Sequence, residues 1–222
     1  KTLHGKRVLV TAGPTYEPID PVRFMGNRSS GKMGFAVAKA AVEAGAEVTL
    51  ISGPVALATP SGVNRIDVET AQVMHENVMT EMGESDIFIS CAAVADYRPV
   101  DMVKNKIKKT DQKTLHLELE PTIDIVAEVA RQEDKPFIVG FAAETQDVSS
   151  YAQEKLQRKG LDMIAANQVG NGLGFAVDQN ALEVFWKNGS RALALTSKAQ
   201  LARDLMTLII EQYNAKNTTK TA

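Results

Sequence analysis

Cysteine is nearly absent from this chain. Cys91 is the single thiol in 222 residues, so no internal disulfide is possible. Histidine is scarce too: His4, His75 and His116 are scattered, and no Cys/His set has zinc spacing. A lone cysteine points to a reducing, cytoplasmic compartment. No apolar run is long enough to span a bilayer and no signal peptide is visible, so a membrane partner is not expected. The net charge is only −2, which argues against a general nucleic-acid surface. Repeats and long linkers are missing as well. With 44% hydrophobic residues, the chain can bury a sizeable core without staples. It begins at Lys1, not Met, and the expectation is a separated piece of a longer protein.

The patterning that is present alternates strand with helix. "KRVLVTAG" (6–13) ends in glycine and reads as a buried strand, followed by a turn-rich loop with Pro14, Pro18 and Pro21. "GKMGFAVAKAAVEA" (31–44) reads as a helix stopped by Gly45. "EVTLISG", residues 63–68, 86–96, 136–145 and 161–167 read as further strands, with helices over 70–82, 122–132 and 148–160. The alternation in "TLHLELE" (114–120) predicts a half-exposed strand. A late hairpin turns around Asn188-Gly189, and an amphipathic helix covers 197–213. This order predicts one α/β domain over 1–214, with a doubly wound, mostly parallel sheet in a Rossmann-like three-layer arrangement. The hairpin is its antiparallel addition, and 215–222 is a disordered tail. Ligands of such folds sit at the carboxyl ends of the strands. Those ends carry Gly13, Ser52, Cys91 to Asp96, Phe141 to Thr145, and Asn167.

Several motifs bear on that edge. "GNRSSGKMG" (26–34) has near-P-loop spacing, but Met33 stands where Ser or Thr would meet Mg²⁺, and the first strand ends well before Gly26. What remains is a donor-rich helix start at Ser29, Ser30 and Gly31. It reads either as an anion cradle or as a serine N-cap with packing glycines. Tyr151 and Lys155 have the Tyr-x-x-x-Lys spacing of an NAD(P)-dependent short-chain oxidoreductase. No Gly-x-Gly-x-x-Gly follows the first strand, however, and the second ends in Ser52-Gly53 with no acidic residue for a ribose. Between Arg98 and Lys113, six basic residues face two acidic ones. In an extended segment Lys104, Lys106 and Lys108 share one face. They read either as lysines guarding an edge strand or as a basic flap over polyphosphate. Lys155 and Lys159, at i and i+4, make a solvated helix face or part of the same anion site. Cys91 reads as a small core residue at a strand end. A non-catalytic nucleotide-binding module is a further alternative.

Taken together, "VLVTAGPTYEPIDPVRFMGNRSSGKMG", "CAAVADYR" followed by "KIKK", "VGFAAET", "KLQRKGLDMIAAN" and "GFAVDQNAL" resemble the phosphopantothenate–cysteine ligase family. The resemblance covers nearly the whole chain and implies a coenzyme A biosynthesis enzyme. Such an enzyme uses CTP and Mg²⁺ to activate 4′-phosphopantothenate as an acyl-cytidylate, which the amine of L-cysteine then attacks. It implies a homodimer and fusion behind a flavin-dependent decarboxylase domain that carries FMN. By the same resemblance Asn27 stabilises the acyl-cytidylate, Arg23 holds the pantothenate end, Asp96 contacts CTP, and Lys106 is the essential flap lysine. Phe141, Lys155 and Lys159 are further nucleotide contacts, as are Ile123, Asp124, Ile125 and Val126. The metal ligands stay unassigned. One departure stands out: the family has Asn-Pro-Asp-Ile where this chain has Pro121-Thr122-Ile123-Asp124-Ile125, so the proline is displaced from Asp124.

Overall fold

In a computed structural model, the described residues are 1–109, 114–144, 148–168 and 178–218. Six strands form a parallel core: β1 (Arg7–Ala12), β4 (Glu47–Ser52), β5 (Val63–Asp67), β6 (Ile87–Ser90), β9 (Phe137–Glu144) and β10 (Met163–Gln168). Their spatial order is β5-β4-β1-β6-β9-β10, and β11 (Gln179–Trp186) and β12 (Gly189–Ser197) extend it antiparallel beyond β10. This is the doubly wound order, with its reversal between β1 and β6.

Alternation along the strands assigns the helices to faces. Val8 and Val10 pack with α1 (Lys32–Ala44) and α5 (Lys198–Thr218) in one core cluster. Leu9, Phe88 and Ile138 point the other way, onto α2 (Ala71–Glu81) and α3 (Ile125–Ala130). On that same face Ile164 and Ala166 meet Ala152 and Leu156 of α4 (Val148–Arg158). The molecule therefore has three layers, as the alternating pattern predicts. No helix among the described residues is long and apolar enough to cross a membrane.

Local differences from the sequence reading have identifiable causes. The proline-rich stretch after β1 is a hairpin, not a loop: β2 (Tyr16–Asp20) pairs with β3 (Arg23–Gly26). Asp20 Oδ1 makes its turn by accepting the N–H groups of Val22 (2.8 Å) and Arg23 (2.9 Å), an Asx arrangement that a count of prolines conceals. Strand β6 stops at Ser90, and residues 91–96 run on as a loop whose Ala93 bridges to Pro14. Of the expected 114–120 strand only β8 (Leu119–Pro121) forms, paired with β7 (Tyr97–Pro99). The described lysines at 104–109 lie in no strand. Helix α3 spans six residues, shorter than expected. Trp186 pairs with Gly189, so the late hairpin turns on Lys187-Asn188, one residue earlier than expected. A side chain at Gly189 would lie 2.9 Å from the Trp186 ring. Helix α5 continues through Thr218, into the segment expected as a disordered tail. Lys113, Thr145 and residues 174–177 of the expected motifs lie outside the described residues.

The seating of α1 decides what its first turn can reach. A Cβ on Gly34 would lie 2.5 Å from Ala12 Cβ and 3.2 Å from Ala12 Cα, so the helix start rests directly on the end of β1. Gly34→Ala forces helix and strand apart, because the obstacle is a rigid strand end. Overpacking outweighs the better helix propensity of alanine, and a net loss of about 1–2 kcal/mol is expected in denaturant unfolding. Unchanged stability would mean that α1 does not bear on β1 in this way.

Candidate active site

One cleft of about 640 Å³ opens at the carboxyl edge of the sheet, at the reversal between β1 and β6. Ser90 at the end of β6, Phe141 of β9 and Asn167 of β10 line it, together with the 91–96 loop. The α1–α5 layer supplies one wall and α3–α4 the other.

The first wall decides the fate of the serine cap expected in "GNRSSGKMG". Helix α1 starts without a side-chain cap. Gly31 holds the cap position in the left-handed region at φ +73°, a conformation that glycine adopts without strain. Ser29 Oγ accepts only the Gly31 N–H, at 3.3 Å. The serine N-cap is therefore not formed, and Ser29, Ser30 and Gly31 line the cleft instead. Asn27 lies at the rim, where its Nδ2 donates to the Val94 carbonyl at 2.8 Å.

The second wall is organised by the segment in which the proline is displaced. Pro121 ends β8, and Thr122 donates its N–H to the Asp96 carbonyl at 2.9 Å and its hydroxyl to the Ala95 carbonyl. These bonds set Ile123, Asp124, Ile125 and Val126 beside Asp96, all lining the cleft. Asp124 caps α3 by accepting the Ala127 N–H at 3.1 Å, and it pairs with Lys159 at 2.7 Å. Desolvation pushes its carboxyl up. The hydrogen bonds from Lys159 and Ala127 and the charges of Lys159 and Lys155 outweigh that, leaving its pKa below the usual carboxylate value. Lys155 and Lys159 are half-buried and line the cleft. Tyr151 is 52% exposed and is not among the lining residues, so the tyrosine–lysine pair is not presented together.

Two predicted residues lie elsewhere. Arg23 and Lys106 do not line the cleft. Asp20, whose side chain is fully buried, accepts the Ile107 N–H at 3.1 Å and pairs with the Arg23 guanidinium. Arg23 in turn donates to the Ile107 carbonyl at 3.2–3.3 Å. The segment carrying Lys106 is thus docked on the β2–β3 hairpin. Asp20 is desolvated, which pushes its carboxyl up, but three backbone N–H groups and Arg23 hold the pKa below the ordinary value.

The sequence reading did not single out Lys32, Asn180 or Lys198, which also line the cleft. The available signal was a lysine opening each of two helices, against the helix dipole. Cys91 lines the cleft as well, and desolvation pushes its thiol up to about 12, with Lys198 opposing.

Fold and cleft together define a class: a doubly wound α/β protein with a lysine-lined cleft at its topological switch point. The chain belongs to the DNA/pantothenate metabolism flavoprotein C-terminal domain family, which matches residues 3–213. It is 60% identical over 215 residues to the coenzyme A biosynthesis bifunctional protein CoaBC of Vibrio cholerae, covering 96% of this chain and 54% of that one. The chain thus spans about half the length of the curated relatives it matches. The crystal structure of the C-terminal domain of a CoaBC protein superposes with a TM-score of 0.81 at 43% identity, covering 96% of this chain and 98% of that one. A Cab2 variant in complex with phosphopantothenate-cysteine has the same fold, with a TM-score of 0.82 at 15% identity, covering 99% and 90%.

A thiol at about 12 is protonated at neutral pH and cannot serve as a nucleophile. Alkylation of the native protein by iodoacetamide should therefore rise about tenfold per pH unit from pH 7 to 10 with no plateau. A plateau below pH 10, measured by mass spectrometry, would show a reactive thiolate.

Proposed function

We propose that this chain is a phosphopantothenate–cysteine ligase domain of coenzyme A biosynthesis. It joins 4′-phosphopantothenate to L-cysteine, using CTP and Mg²⁺. The observation that carries the reading is one cleft in which Asn27, Asp96, Phe141, Lys155 and Lys159 meet, in a chain of the pantothenate-metabolism family.

A free carboxylate is a poor electrophile because attack would have to expel an oxide. In the first step a carboxylate oxygen bonds to the α-phosphorus of CTP. The bridging P–O bond breaks, and its electron pair leaves on pyrophosphate. The amine of cysteine then attacks the acyl carbon, gives up a proton, and CMP departs with the C–O pair. Both substrates are anionic, so lysines must offset their repulsion and hold them in line. Asn27 keeps its carbonyl oxygen and one N–H for the acyl-cytidylate while the other N–H is held by Val94. Arg23 receives the pantothenate end, and Lys106 acts from the flap. Asp96 meets the nucleotide, and Ser29, Ser30 and Gly31 offer an anion-binding helix start. No group of three His, Cys, Asp or Glu side chains suited to a metal gathers among the described residues. Mg²⁺ fits as an ion carried by the triphosphate, with Asp96 as a cleft carboxylate to meet it. When bound it offsets phosphate charge.

The working unit in this reading is a cytoplasmic homodimer. Phe24, Tyr97, Met102 and Leu115 are each more than half exposed on the β2–β3 hairpin and the β7–β8 excursion. An apolar patch of this kind suits a second copy of the chain, and the 104–120 excursion is the place for exchange between subunits. In the full-length protein an FMN-bearing decarboxylase domain precedes this one. The partial coverage of relatives called bifunctional supports that arrangement.

The deciding assay is pyrophosphate release with CTP compared with ATP. Release is expected with CTP, Mg²⁺ and phosphopantothenate, and CMP only once cysteine is added. Binding of CTP without release under full substrate conditions would leave only a nucleotide-binding module. In the same assay Lys106→Gln should lose activity by about a hundredfold or more while its melting temperature is kept. Asn27→Asp should slow the cysteine step and let the acyl-cytidylate accumulate. Full activity in either variant would remove that residue from the mechanism.

A further inference from the structure

The β2–β3 hairpin carries a carboxylate that does more than its turn requires. Asp20 Oδ1 alone makes the turn, by accepting the N–H groups of Val22 and Arg23. An asparagine or a serine does the same in turns of this kind. Oδ2 has other partners. It accepts the Ile107 N–H at 3.1 Å, from 87 residues along the chain, and the Arg23 guanidinium. Each oxygen thus accepts two hydrogen bonds, and the side chain has no exposed surface. Burying an ionised carboxyl is costly unless its acceptor sites are met in this way. The turn by itself gives no reason for placing a full charge there.

The two partners of Oδ2 are also bound to each other. Arg23 donates to the Ile107 carbonyl from Nη1 (3.3 Å) and from Nη2 (3.2 Å). The same segment is fixed at its other end by the Val103 N–H, which donates to the Ile19 carbonyl at 3.1 Å. Lys106 lies between these two anchors, next to Ile107. The hairpin beneath is itself tied to the start of α2. The Tyr16 N–H donates to the Glu69 carbonyl at 2.8 Å, and the buried Glu17 accepts the Ala71 N–H at 2.9 Å. From Arg23, β3 runs straight to Asn27 at the cleft rim. We propose that Asp20 is a positioning residue: through Oδ2 it holds Arg23 and the Lys106 segment as one unit, set on the strand that leads to Asn27. The inference rests on the ligase reading, in which Arg23 receives the pantothenate end and Lys106 acts from the flap. The tie couples them, so a substrate that engages Arg23 also steadies the segment carrying Lys106.

Asp20→Asn separates the two duties. With its one acceptor oxygen kept on the turn, the amide NH₂ meets the Ile107 N–H and the guanidinium, donor against donor. Trypsin digestion of the native protein, read by mass spectrometry, should cut this variant about fivefold faster or more after Lys104, Lys106, Lys108 and Lys109, with rates elsewhere unchanged. In calorimetric titration 4′-phosphopantothenate should bind about tenfold more weakly, with CMP within about twofold. Turnover should fall about tenfold, but by no more than about twofold when the change is added to Lys106→Gln, because the two act as a unit. Cuts spread through the chain, equal losses for both ligands, or a further tenfold loss in the double variant would make Asp20 a structural residue only and overturn the proposal. Arg23→Lys keeps a charge on the half-exposed hairpin but cannot fork between Asp20 and the Ile107 carbonyl. It should open the same lysines to trypsin, and it decides the matter should Asp20→Asn fail to fold. Unchanged cleavage in variants of a protein that releases pyrophosphate from CTP would overturn the tie and leave the ligase reading intact. Faster cleavage in variants of a protein that never releases pyrophosphate would overturn that reading and leave the tie standing.

Discussion

Lys32, Lys155 and Lys198 of three helices, and Lys159 just after α4, face one cleft, and like charges gathered in this way repel unless counter-charges lie among them. Two of these lysines are held in ion pairs with carboxylates. Asp124 pairs with Lys159 at 2.7 Å, and Asp178 pairs with Lys32 at 2.6 Å. Both carboxyls have pKa values below the ordinary range because the lysines stabilise their charged forms. Both counter-charges stay substantially open to solvent, Asp124 at 47% and Asp178 at 85% exposed. The rest of the architecture serves that balance. Close seating of α1 on Ala12 brings one helix start to the strand ends, and β12 delivers the start of α5 to the same edge.

A second assembly sits beside the cleft and is held by a different charge. The buried Asp20 carboxylate accepts the N–H groups of its own turn and that of Ile107, and pairs with Arg23. One short hairpin thereby holds the segment that carries Lys106 against Arg23, far apart in sequence. Exposed apolar side chains surround this assembly. In the proposed function it is the part that meets the other substrate and the second subunit, while the cleft holds the nucleotide.

The layered α/β architecture was legible because its strands are short apolar runs ending in glycine or turn residues, and its helices carry 3.6-residue stripes. The helix start at 31–34 was legible, with two readings open. One of them, a serine cap, depended on backbone angles at Gly31 that composition does not reveal. The β2–β3 hairpin was hidden because Pro14, Pro18 and Pro21 mimic a loop, while the organising contact is an aspartate folding back on its own backbone. The expected 114–120 strand shortened because its alternation promised a partner that the structure supplies only at Tyr97 to Pro99.

The sequence by itself determined the order of the central strands and their helices, the strand-end location of the cleft, and the family resemblance carried by its motifs. All of these depend on local periodicity or on runs of contiguous residues. Only the tertiary structure decided which cations share a cleft. It set Lys32 and Lys198 against each other across 166 positions of chain, and it parted Tyr151 from the neighbouring Lys155. It also docked Lys106 on the hairpin. Proximity of that kind is fixed by strand order and helix layering, and it leaves no local trace in the chain.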